Sequence, residues 1–230
     1  MWNGKNKAVT FSFDDGVKQD VRAIEILNKY GLKSTFNLNS GNLGKKIACR
    51  NGVRSIVSPE EIKKIYAGHE VAVHTVNHPN LTEISEADII YQVEEDRKAL
   101  SKLCGYEVMG MAYPCGGVNN DERVAKVIKE NTPIKYSRTI TSTHNFDLQS
   151  HLLRFNPSVY YCDKDKLFEL GERFIKLKTD KPQLLYIWGH TYEMDEDNRI
   201  TWEDFEKFCE MISGKLDIYY GTNKEILLGN

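Results

Sequence analysis

The sequence predicts an α/β fold, a closed or nearly closed (β/α) barrel with about seven parallel strands. Short apolar runs alternate with helical patterns along the 230 residues. No Pro/Gly/Ser-rich linker interrupts them, so residues 1–230 read as one domain. The unusual residues cluster just after the apolar runs. Such alternation implies parallel strands joined by right-handed crossovers. In a chain of this length, a closed or nearly closed barrel suits that many units better than an open sheet.

In chain order, Lys7–Phe13 reads as a strand and Val17–Tyr30 as a helix, with Val21, Ile24, Leu27 and Tyr30 at helical spacing and Gly31 as its stop. Lys33–Leu38 is a second strand. Ser58-Pro59-Glu60-Glu61 opens a helix: Ser58 caps it, Pro59 suits the first turn, and Glu61 completes a capping box. His69–Val73 reads as a strand and Ser85–Leu103 as the longest helix. Val108–Tyr113 is strand-like, Asp121–Glu130 helical, and Lys135–Ser137 a short strand. Lys164–Leu177 is a helix, Leu184–Trp188 a strand, Trp202–Ile212 a helix and Leu216–Tyr220 the last strand. Gly41–Val57 and Thr139–Pro157 are expected to be long loops, and residues 221–225 resemble a final helix start.

A composition 40% hydrophobic and 28% charged is that of an ordinary globular protein, able to bury a core without disulfides or structural metals. A net charge of −2 and no basic block point away from nucleic-acid and membrane partners. Cys49, Cys104, Cys115, Cys162 and Cys209 are scattered with no CxxC pair, the pattern of free thiols in a reducing compartment. Residues 1–7 lack the apolar run of a signal peptide, and no stretch is apolar enough to span a membrane, so a cytoplasmic location is expected.

Asp14-Asp15-Gly16, His74 to Pro79, Tyr113 to Gly117 and Trp188-Gly189-His190 each follow an apolar run. In a parallel barrel those strand ends share one rim. Each cluster has a plainer reading: Asp-Asp-Gly as a turn, the two histidines as surface residues, His190 as a buried hydrogen-bonded ring. Together they suggest a catalytic metal centre. Asp15, His74 and His78 form a ligand set for a divalent ion, zinc first and cobalt or nickel after it, with positions left open for water and substrate. Asp14 is placed as general base and His190 as general acid. His69, His144 and His151 have no such context.

Thr10 to Gly16, His74-x-x-x-His78, Tyr113-Pro114-x-Gly116 and His190 after an apolar strand resemble, in order, the motifs of the polysaccharide deacetylases, carbohydrate esterase family 4. The resemblance implies a distorted (β/α) barrel and a metal-dependent deacetylase removing N-acetyl or O-acetyl groups from sugars or oligosaccharides. It gives Asp14, Asp15, His74, His78 and His190 the same roles. It also makes the Cys115 amide an oxyanion donor, in a substrate-binding segment with Tyr113 and Pro114. Many members carry an arginine that pairs with the base aspartate, and Ala112 stands there; Arg154 is the expected substitute, orienting Asp14. Cys115 replaces the usual aromatic residue. The Asp-Trp motif that tunes the acid histidine has no clear counterpart; Glu193 and Asp195, just after His190, are candidates to raise the imidazole pKa, with solvated loop acids the plainer reading of each. Tyr113 and Trp188 are read evenly as sugar-stacking rings at the mouth or as core. Two alternatives stay open: a cyclic-imide or small-amide hydrolase on the same scaffold, and a non-catalytic metal-binding homologue.

Overall fold

Polar and apolar residues alternate along the first strand, β1 (Lys7–Asp14), and that alternation organises the molecule. Successive strand side chains point to opposite faces. Val9, Phe11 and Phe13 join the main hydrophobic cluster, which also holds helix residues such as Phe205 and Phe208. Phe11 and Phe13 meet Phe205 edge to face at 6.1 and 5.8 Å. Burying each such ring contributes about 2–3 kcal/mol. Thr10, Ser12 and Asp14 face the other way, into the barrel.

The computed structural model describes residues 2–49 and 52–229. After β1 come α1 (Asp20–Lys29), β2 (Ser34–Leu38), β3 (Lys46–Cys49), β4 (Gly52–Ser55), α2 (Ile62–Ile65) and β5 (Glu70–Val73). Then follow α3 (Glu86–Cys104), β6 (Gly110–Ala112), α4 (Glu122–Asn131), β7 (Tyr136–Arg138), β8 (Val159–Tyr160) and α5 (Lys164–Lys176). The chain continues through β9 (Gln183–Gly189), α6 (Glu193–Glu196), α7 (Trp202–Ile212), β10 (Ile218–Tyr220) and α8 (Asn223–Leu227). Seven strands pair in the order β7-β6-β5-β2-β1-β9-β8, all in parallel. This is the curled sheet of a distorted barrel. β10 joins the first half of β1, Lys7 to Val9, while β2 takes the second half from Phe11 to Asp14. Between the outer strands, Phe155 bridges to Arg138, and Ser158 donates to Tyr186 O at 2.8 Å.

Several expectations change. Residues 41–57 are not only loop: β3 and β4 pair there as an antiparallel hairpin. Residues 139–157 remain irregular apart from a 3-10 turn, Leu152–Arg154, and the sequence reading missed β8 and α6. α1 begins three residues later than expected because Val17 bridges to Ile56, and Val21 is exposed. The capping boxes at Ser58 and Thr222 form as expected. All five cysteines are unpaired.

Candidate metal centre and active site

The cluster starts at the turn that ends β1. Asp15 takes φ 77°, rare for a residue with a side chain, and its amide donates to Asn37 O at 3.0 Å. His74 follows β5, with its amide on Leu38 O at 2.9 Å and Asp96 Oδ2 at 3.0 Å. Its Nδ1 lies 2.9 Å from Ala112 O. A carbonyl only accepts, so that nitrogen carries the proton and Nε2 keeps its lone pair. Nε2 of His74 and Nε2 of His78 stand 3.7 and 3.6 Å from Asp15 Oδ1. The donor atoms of all three residues lie within 4.8 Å of one another. Burial pulls the His74 pKa down to about 4, against the nearby Asp14 and Asp15 charges, so the ring is neutral at pH 7, the form able to ligate a metal. This two-nitrogen, one-oxygen set, with Asp15 and His78 partly exposed, fits a divalent ion that keeps open positions.

Strain is concentrated here. Asp15, Thr75, His78 and Cys115 have φ of 77°, 70°, 61° and 68°. Each such residue costs about 1–3 kcal/mol and persists only where its surroundings hold it. Asn39 Nδ2 donates to Thr75 O at 2.8 Å, Thr75 Oγ1 accepts from His78 N at 3.1 Å, and Asp96 Oδ1 accepts from Ser40 N at 2.6 Å. Asn119 Nδ2 donates to Pro114 O and Cys115 O at 3.0 and 2.8 Å, fixing the third motif. Cys115 Sγ lies 3.4 Å from His78 O.

Asp14 is buried beside the cluster. Arg138 Nη2 reaches both its carboxylate oxygens at 2.5 Å, and Asn37 Nδ2 donates to Oδ1 at 2.8 Å. Burial alone would raise its pKa, but Arg138 and the neighbouring histidines outweigh burial and hold it below the usual value. His190 Nε2 stands 3.9 Å from Asp14 Oδ2. Its Nδ1 is 3.2 Å from Glu193 Oε1, and its amide donates to Glu193 Oε2 at 3.0 Å. Burial opposes the charged ring, but Glu193 prevails and raises its pKa to about 9.

The expectation for Arg154 fails, and Tyr113, Trp188 and Glu193 are all buried. Arg154 does not orient Asp14: its Nε donates to Asn120 Oδ1 at 2.9 Å and it pairs with Glu122, on the outside of the barrel. Arg138 takes the place beside Asp14, one residue beyond the Lys135–Ser137 stretch whose pattern marks a strand. Tyr113 is no stacking platform; it is 1% exposed, with its hydroxyl on Leu153 O at 2.8 Å. Trp188 is buried too, its ring 4.7 Å from both the Arg138 guanidinium and the Tyr160 ring. Glu193 is buried against His190, whereas Asp195 is exposed and accepts from Trp202 Nε1 at 2.6 Å. Pro114 is buried and Cys115 partly exposed at the rim. His69 is structural, its Nδ1 accepting from Ser34 N at 3.2 Å. An acid three residues after His190 was the available signal for Glu193; Asp96 and Asn37 carried none.

Residues 3–132 match the family model described as polysaccharide deacetylase. The chain is 30% identical over 117 residues to a peptidoglycan-N-acetylglucosamine deacetylase of Listeria monocytogenes, covering 50% of this chain and 22% of that protein. It is 30% identical over 108 residues to a chitin deacetylase of Colletotrichum lindemuthianum, covering 46% of this chain and 41% of that protein. The match thus spans less than half the length of either relative. The solved family 4 carbohydrate esterase of Streptomyces lividans, in complex with acetate, shares the fold at TM-score 0.59 and 18% identity, covering 95% of this chain and 93% of that one. With more than half of the sequence matched by that model, and its motif residues gathered on one barrel rim, the chain belongs to the polysaccharide deacetylase family.

Proposed function

We propose that this chain is a metal-dependent hydrolase that removes acetyl groups from N-acetylated or O-acetylated sugars in oligosaccharides or polymers. One observation carries the reading. Asp14 and His190 stand 3.9 Å apart beside the Asp15, His74 and His78 cluster, in opposite protonation states at neutral pH. Titratable neighbours whose surroundings push their pKa values apart are the mark of a working base and acid. The relatives' named activities agree with it.

A divalent ion held by Asp15, His74 and His78 would supply Lewis acidity toward the acetyl carbonyl and water. Asp14, kept ionised and oriented by Arg138 and Asn37, takes the proton of the attacking water. The Cys115 amide, fixed by Asn119, is the donor for the developing oxyanion. His190, held protonated by Glu193, gives its proton to the departing amine or alcohol. Without that proton an amine is a poor leaving group.

The test is acetate release from N-acetylglucosamine oligomers and acetylated xylan, after chelation and after re-adding zinc, cobalt or nickel. Release should return with a metal and fall by about 10²–10⁴-fold in Asp14→Asn. No release with any metal, despite tight binding of one ion, would defeat the reading.

A further inference from the structure

The hairpin of β3 and β4 reaches across the rim to the acid histidine. Lys18 N donates to Ser55 O at 2.9 Å, which ties the hairpin to the loop after β1. At its other face Arg54 forks onto Glu196, Nε to Oε1 at 3.0 Å and Nη2 to Oε2 at 2.7 Å. Both side chains are largely covered, at 25% and 18% exposure. The fork fixes the guanidinium plane, and its carbon lies 3.3 Å from the centre of the Tyr192 ring. Tyr192 in turn lies against His190, ring centres 5.0 Å apart and planes 32° from parallel. The chain of contacts runs from an inserted hairpin to the imidazole two residues before Tyr192.

We infer that Arg54 is a positioning residue for leaving-group protonation: by clamping Tyr192 beside His190 it fixes the plane of the imidazole that donates the proton. The inference rests on the deacetylase reading. Glu193 meets the imidazole at Nδ1 and Trp188 meets it at a steep 67°, so Tyr192 supplies the near-parallel ring against which a swing of its plane would be felt. A stacked neighbour limits that swing, and a misplacement of about 1 Å can cost about a hundred-fold in rate. The proton moves from His190 Nε2 to the leaving nitrogen or oxygen as its bond to the acetyl carbon breaks.

The decisive comparison uses two substrates on the metal-loaded full chain. An N-acetylated glucosamine oligomer needs its leaving group protonated; an aryl acetate with a stable phenolate leaving group does not. Arg54→Ala is expected to lower kcat on the sugar by about ten-fold or more, and to leave aryl acetate hydrolysis within about two-fold. Tyr192→Ala should do the same, and Tyr192→Phe, which keeps the ring, should restore the parent's pattern. Arg54→Lys should recover only part, because an ammonium neither forks nor stacks as a guanidinium does. Equal losses on both substrates would make Arg54 a mere brace of the loop and overturn the inference. A parent chain silent toward every acetylated sugar would defeat the deacetylase reading separately. In that case the His190 ring proton resonances of the full chain decide: they should shift in Arg54→Ala as the Tyr192 ring moves away, and unshifted resonances overturn the clamp.

Discussion

Two side chains 3.9 Å apart, Asp14 and His190, hold opposite charges because each has its own fixed counterion. For Asp14 it is Arg138, and for His190 it is Glu193. The His190 pKa is raised from 6.5 to about 9, so the imidazolium persists through neutral pH and is lost as the pH rises through 9. Asp14 is shifted downward, so the base is ionised until the pH falls below the usual carboxylate range. The rate should hold a plateau across neutral pH and decline on the alkaline side as His190 loses its proton. In Glu193→Gln the largest opposition to burial disappears, and the alkaline limb of kcat should move down by at least about one pH unit. A limb that stays in place would show that another group sets it. Of these four residues the sequence marked Asp14 and His190 through their motif positions. It gave only a hint of Glu193, because a lone acid in a loop has no periodicity to reveal its burial.

The arginine beside Asp14 shows what decides legibility among the elements. Ala112 and Arg138 are paired residues in the register of β6 and β7. The guanidinium therefore arrives at the level where many family members place it, but from the neighbouring strand. β7 has three residues, too few for an alternating pattern to be read through to Arg138. Arg154 misled because Leu152 and Leu153 look like strand residues, yet they form a 3-10 turn. The β3–β4 hairpin was hidden for a related reason: none of its described residues is buried, so no apolar alternation marks it. β1, β2, β5 and β9 were legible because their burial is nearly complete. Arg138→Ala should strip the buried Asp14 carboxylate of its hydrogen-bonded counterion, costing about 3–5 kcal/mol of stability. The Asp14 pKa should then rise, with the neighbouring histidines left as the opposing charges, moving the acid limb of kcat to higher pH. Adding Ala112→Arg should return part of that shift, and an acid limb indifferent to both changes would refute the relocation.

Across the whole molecule, chemistry and stability occupy opposite ends of one polar lumen. The rim holds the Asp15, His74 and His78 cluster, Asp14 and His190; the floor is organised by Glu70. Glu70 Oε1 accepts from the Tyr136 hydroxyl at 2.9 Å, and Oε2 accepts from Thr35 Oγ1 at 2.8 Å and Lys224 N at 2.9 Å. Asn223, at the start of α8, donates its amide to Thr35 Oγ1 at 2.9 Å and accepts from Thr10 at 2.8 Å. Trp2 Nε1 donates to Ile226 O at 3.0 Å, so residues near the two ends of the sequence close the floor together. In barrels of this kind the strands' C-terminal ends carry catalysis and their N-terminal ends stability. Glu70→Ala strips three donors of their acceptor in a buried site and should cost about 2–4 kcal/mol in urea unfolding. Glu70→Gln, which keeps one acceptor oxygen, should cost less. Neither should change kcat per folded molecule, since the floor network makes no contact with Asp14 or His190. A fall in kcat out of proportion to the loss of folded protein would mean that floor and rim are coupled through the lumen, and that the division by ends is wrong.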